Sequence, residues 1–141
     1  MSLENSAKPP ITLTAPDHDR LSGLVLTRRP RDEQSARALA DELARARVVE
    51  PGAIAADVVT MNSHVRFKDM ATGRTIGVTL VYPEDADIAL QKVSVLTPVG
   101  AALIGLSRGQ ATTWRTRGGE AKRLVVVEVP FQPEANGRFD L

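Results

Sequence analysis

The chain has 141 residues, a formal net charge of +1, no cysteine and only two histidines. That length suits one domain with room for a small accessory element, and the charge balance argues against a protein built to grip phosphate backbones, so sequence-specific nucleic-acid binding is not expected. Disulfides, thiolate nucleophiles and Cys-ligated metals are excluded, and no apolar run approaches the roughly 18 residues of a membrane span, so no membrane partner is expected and the cytoplasm is the expected compartment.

Residues 1–12 carry Ser, Asn, Lys and the pair Pro9-Pro10 without periodicity and are expected to form a frayed tail. Thr14 is a candidate N-cap, Ala15-Pro16 suit a first helical turn, and Asp17 places negative charge at the positive end of the helix dipole. Leu21, Leu24 and Val25 then recur at helical spacing, and Pro30 ends the run. A second helix starts near Asp32 or Ser35, with Ala36, Leu39, Ala40, Leu43 and Ala46 on one stripe. The short connection predicts an antiparallel helical hairpin, a short coiled coil over residues 13–50 with arms of roughly 18–24 Å. Pro51-Gly52 separates it from residues 51–141.

Beyond Val58 the period becomes two: Val65 and Phe67 against Arg66 and Lys68, then Ile76, Val78, Leu80 and Tyr82 on one face. Pro83–Asp87 reads as an acidic loop. Lys92–Leu96 suits a short strand, followed by a helix with Thr97 as N-cap and Pro98 at its first position. Ala111–Thr116 and Lys122–Val129 form a final hairpin across Gly118-Gly119, and Leu124–Val127, apolar on both faces, suits a central strand that Pro130 and Pro133 stop. The fold class is therefore α+β, a helical hairpin followed by a mostly antiparallel sheet with one short helix.

Few residues suggest chemistry. His18 and His64 have no ligand spacing, and no nucleophile elbow or phosphate-binding loop is present. Arg31, Asp32 and Glu33 lie at the hairpin turn; two carboxylates on a projecting tip can hold Mg²⁺, but acidic residues also simply complement a helix dipole, and Arg28, Arg29 and Arg31 dilute the negative potential. No metal, cofactor or catalytic residue is assigned. The acidic Glu84, Asp85 and Asp87 and the basic Arg115, Arg117, Lys122 and Arg123 suit either docking on complementary surfaces or ordinary solvent exposure.

Three segments and the chain's ending carry a resemblance: Asp57–Ser63, Leu80–Pro83, Ser94–Leu106 and Val129–Ala135. Together they resemble the nucleoside diphosphate kinase regulator (Rnk) family, related to the Gre transcript-cleavage factors. The resemblance implies an FKBP-like α+β domain over 51–141 that docks on RNA polymerase beside its secondary channel. It places the contact at Tyr82, Asp85, Asp87, Leu96, Thr97, Pro98 and Val99. Gre factors commonly carry a polar residue where this chain has Leu96, and a coiled coil longer than 18–24 Å. The reading that follows is a non-enzymatic RNA polymerase-binding regulator that competes with Gre-type factors and affects nucleoside diphosphate kinase levels. Its alternatives are a Gre-like elongation or cleavage factor using the tip carboxylates and a direct protein partner of the kinase. An FKBP-like fold does not itself imply prolyl isomerase activity.

Overall fold

A computed structural model describes residues 8–27 and 29–139. Most of the expected tail, residues 1–7, lies outside that range, as does Arg28. The tail is nevertheless shorter than expected. Ile11 is only 2% exposed, and the next residues form β1 (Thr12–Thr14), which pairs in parallel with β2 (Arg47–Val49). The cause is the apolar pair Ile11 and Leu13, which a polar, proline-containing neighbourhood disguises: Ile11 packs against Gly105, whose own position leaves no room for a Cβ beside the Ile11 side chain.

Helix α1 (Ala15–Leu26) starts as the sequence dictates, with the Thr14 side chain accepting from the Asp17 N–H and Pro16 in the first turn. Helix α2 (Glu33–Arg45) follows a 3₁₀ turn at Pro30–Asp32. The His18 imidazole bonds the Leu43 carbonyl at 3.0 Å, which sets the start of α1 beside the end of α2. The helices do not stand free as an arm. Leu21, Ala36, Leu39 and Leu43 are buried in the same core as Leu80, Leu103 and Leu124, and α2 packs on the short helix α3 (Pro98–Leu103). Burial of each such leucine contributes about 1.5–3 kcal/mol, so the apolar stripe of α2 is satisfied by the sheet domain rather than by solvent or a second coil.

The main sheet has the order β5-β4-β3-β7-β6, built from β3 (His64–Asp69), β4 (Thr75–Val81), β5 (Lys92–Ser94), β6 (Ala111–Arg115) and β7 (Ala121–Phe131). All pairs are antiparallel except β4 with β5. Val65 and Phe67 face the core as their alternation requires. The expected β4 face is buried only toward its end: Leu80 and Tyr82 are buried, whereas Ile76 is exposed. Pro130 does not stop β7, which continues to Phe131 and pairs with His64. Strand β6 accompanies β7 only as far as Val125, so beyond it one edge of β7 carries no strand ladder and a missing N–H is tolerated there. The architecture is thus mixed α+β, helices followed by a curled sheet. Among the described residues, no helix is long and apolar enough to cross a membrane.

Candidate protein-interaction surface

Strand β5 organises the surface, because the two segments singled out in the sequence leave from its two ends. Before it, Pro83–Asp85 and Ile88–Leu90 form successive 3₁₀ turns, closed by mutual backbone bonds between Asp87 and Lys92 of 2.9 and 3.0 Å. After it come Val95, Leu96 and the Thr97–Val99 corner that starts α3. The three residues of β5 separate the two segments by roughly 10 Å of extended chain.

Asp85 and Asp87 are exposed, and the Asp87 side chain caps the second turn by accepting from the Ala89 N–H at 3.1 Å. Just beyond them stand two apolar side chains that sequence reasoning missed: Ile88 is 92% exposed and Leu90 62%. Their signal was legible only in part: the i, i+2 spacing also fits a strand, but the pair directly follows the Pro83–Asp87 loop. Two exposed apolar side chains beside two exposed carboxylates suit a partner with an apolar face that has basic residues at one side.

The corner behaves differently. Leu96 is 4% exposed and belongs to the core, so it is not available as a contact residue. Thr97 is committed locally: its hydroxyl donates to the Ser94 carbonyl at 2.7 Å and accepts from the Gly100 N–H at 3.1 Å. Pro98 and Val99 are half-buried, with Pro98 turned toward a groove between α2, α3 and β6. Gly100 holds the corner together. A Cβ there would lie 2.2 Å from the Ser94 carbonyl oxygen, so only glycine lets α3 approach β5 this closely.

Tyr82 is buried rather than offered to a partner. Its hydroxyl donates a long bond of 3.5 Å to Asp17 Oδ1, and the Arg20 guanidinium lies 3.7 Å from its ring centre. Arg20 also pairs with Glu84 at 3.0 Å, so α1 is tied directly to the acidic loop. Asp17 was expected to serve the helix dipole, yet it is buried, with Oδ2 accepting from the Met61 N–H at 3.2 Å. Burial pushes its carboxyl up to about 6; the Met61 N–H opposes that shift, nearby Glu134 adds to it, and bonds from Thr14 and Tyr82 oppose it. Burial, and then the Asp17 charge, likewise hold the Tyr82 hydroxyl above its ordinary range. Glu134 in turn accepts from Thr60 at 2.7 Å, and Thr60 bonds Ser63 at 2.8 Å. This polar cluster seats α1 on the sheet; no spacing in the sequence announces it, because Asp17 meets Met61 and Tyr82 only in the folded chain.

The turn residues are not brought to this surface. Arg31 is exposed, its guanidinium 4.0 Å from Asp32, and Glu33 pairs with Arg37 at 3.0 Å. Arg117 of the β6–β7 hairpin approaches the Arg31 carbonyl at 3.5 Å. Among the described residues no group of three His, Cys, Asp or Glu side chains is placed to hold a metal.

Comparison with known proteins adds to this geometry. Residues 54–130 match the family model "Transcription elongation factor, GreA/GreB, C-term", and residues 9–49 match "Rnk N-terminus". The Regulator of nucleoside diphosphate kinase of Escherichia coli (strain K12) is 38% identical over 133 residues, covering 94% of this chain and 98% of that protein. Transcription elongation factor GreA of Syntrophotalea carbinolica is 37% identical over 67 residues, 48% of this chain and 42% of its own length. Among solved structures, the prokaryotic transcription elongation factor GreA/GreB from Nitrosomonas europaea is 42% identical, with a TM-score of 0.69 over 88% of this chain and 100% of that one.

Proposed function

Because the chain belongs to the bacterial Rnk family, whose C-terminal part it shares with the GreA/GreB elongation factors, we propose that it is a non-enzymatic regulator that binds RNA polymerase near its secondary channel. In this reading residues 51–141 are an FKBP-like docking module, and the protein competes with Gre-type factors for one site. Nucleoside diphosphate kinase levels respond downstream. The observation that carries the reading is the exposed pair Ile88 and Leu90 directly after Asp85 and Asp87, since folding alone gives no reason to present two large apolar side chains beside an acidic loop.

The contact comprises Asp85, Asp87, Ile88 and Leu90, with Pro98 and Val99 at its margin. Tyr82, Leu96 and Thr97 support the surface from within rather than touching the partner. The two helices, of 12 and 13 residues, span about 18–20 Å and are packed on the module. Asp32 and Glu33 are already engaged by Arg31 and Arg37, which favours channel occupancy over delivery of carboxylates to a distant catalytic metal. The test is a pull-down with core RNA polymerase. Asp85→Lys and Ile88→Ser should each weaken capture while the melting transition stays intact, and Pro98→Ala should weaken it less. Undiminished capture by all three variants overturns the surface; capture of purified kinase without polymerase indicates direct partnership instead.

A further inference from the structure

Strand β6 is an edge strand, and its outer edge faces a groove rather than open solvent. The bond from the Val126 N–H to the Gln110 carbonyl and that from the Thr116 N–H to the Glu120 carbonyl fix the phase of the β6–β7 ladder. Antiparallel alternation then points the backbone groups of Ala111, Thr113 and Arg115 away from β7. No hydrogen-bond partner for these groups is present among the described residues.

Across from this edge stand one face of α2, with Gln34, Ser35 and Ala38, and the small residues Ala101 and Ala102 of α3. Together they enclose a groove of about 660 Å³, within the size range of ligand sites. Small side chains on the helix walls leave room for a backbone. Ser35 lines the groove at 2% exposure, and its buried hydroxyl has no hydrogen-bond partner among the described residues.

The groove is also polarised. The Arg117–Arg31 approach sets the start of α2 at the Arg115 end of β6, where Arg115 and Arg123 line the groove. At the other end, where Gln110 bonds the Pro10 carbonyl, it is lined by Asp41 and Glu42, with Lys8 beside them. Because helices rise beside the edge, a second flat sheet is excluded while a single extended chain is admitted.

We propose that this groove takes an extended peptide segment of a protein partner, added as a sixth strand antiparallel to β6 with its acidic residues at the Arg115–Arg123 end. Main-chain bonds to Ala111, Thr113 and Arg115 supply affinity, and the arginines set direction. The groove lies at the edge of the sheet opposite β5 and the acidic loop, and meets the contact proposed above only at Pro98.

The test uses the full chain, ¹⁵N-labelled, titrated with the synthetic peptide acetyl-Asp-Glu-Val-Thr-Val-Thr-amide and with the same peptide N-methylated at alternate residues. Amide shifts should concentrate at residues 111–115 and on α2, and N-methylation should weaken binding roughly tenfold or more, as expected for lost hydrogen bonds. Arg115→Glu with Arg123→Glu should weaken the acidic peptide but not a variant peptide with lysines in the first two positions. Ala38→Trp should block both, with the melting transition as the folding check. Equal binding of the N-methylated peptide, or no movement of the Thr113 amide at millimolar peptide, overturns the proposal. So does sedimentation showing a dimer that Thr113→Pro dissolves, because the edge would then serve a second copy of the chain.

Discussion

Replacing Asp17 with Asn removes a buried ionisation and thereby probes how α1 is seated on the sheet. The carboxyl ionises near 6 in the folded chain, against an ordinary value of 3.8. At about 1.36 kcal/mol per unit, that difference corresponds to about 3 kcal/mol between the protonated and ionised forms. The sign follows from which state holds the proton. Between the two values the folded chain binds it more tightly than the unfolded chain, so the stabilisation is complete below 3.8 and is lost as pH rises through about 6. Asn does not titrate. The stability difference between variant and wild type should therefore shift toward the variant with rising pH, by about 2 kcal/mol between pH 4.5 and 7.5. Urea unfolding of both proteins at a series of pH values, followed by far-UV circular dichroism, reads this directly. Taking the difference cancels other titrating groups, including Asp69, which Lys122 holds below its ordinary range. A difference that stays constant with pH would refute the assignment of Asp17 as a desolvated, ionising group.

Gly100→Ala should cost about 1–3 kcal/mol in urea unfolding, because its Cβ would meet the Ser94 carbonyl oxygen at 2.2 Å and displace α3. Leu39→Ala, at a fully buried position in the shared core, should cost about 2–5 kcal/mol and still give one unfolding transition by circular dichroism and Trp114 fluorescence alike. Separate transitions would show the helices folding independently of the sheet. Arg20→Ala should destabilise by about 1 kcal/mol through loss of its packing on the Tyr82 ring. Glu84→Gln, which breaks only the exposed ion pair, should cost less than about 0.5 kcal/mol in the same assay.

The elements written in local chemistry were legible in the sequence. Thr14 and Thr97 cap the helices they were expected to cap, followed in each case by a proline, and alternation placed Val65 and Phe67 inward. What depended on meetings across the chain was not. The apolar stripe of α2 carries no label saying whether a partner helix or a sheet covers it; the structure packs it into the core shared with the sheet. Asp17 carried a sufficient local explanation in the helix dipole, and its burial against Met61 and Tyr82 is a tertiary fact. Leu96 was placed at the contact by its neighbours in a motif, whereas its own apolar character, which takes it into the core, was the better guide. The Ile88–Leu90 pair was the converse case, apolar residues that stay exposed because they follow a loop rather than continue a strand.

The central claim is that the chain occupies a Gre-type site on RNA polymerase through the acidic loop around Ile88, and equilibrium binding to core RNA polymerase in the presence of increasing Gre factor tests it most directly. Saturable binding that the Gre factor displaces, and that Asp85→Lys weakens while the protein remains folded, is the predicted result. Absence of binding, or binding that Gre factor leaves untouched, would contradict it.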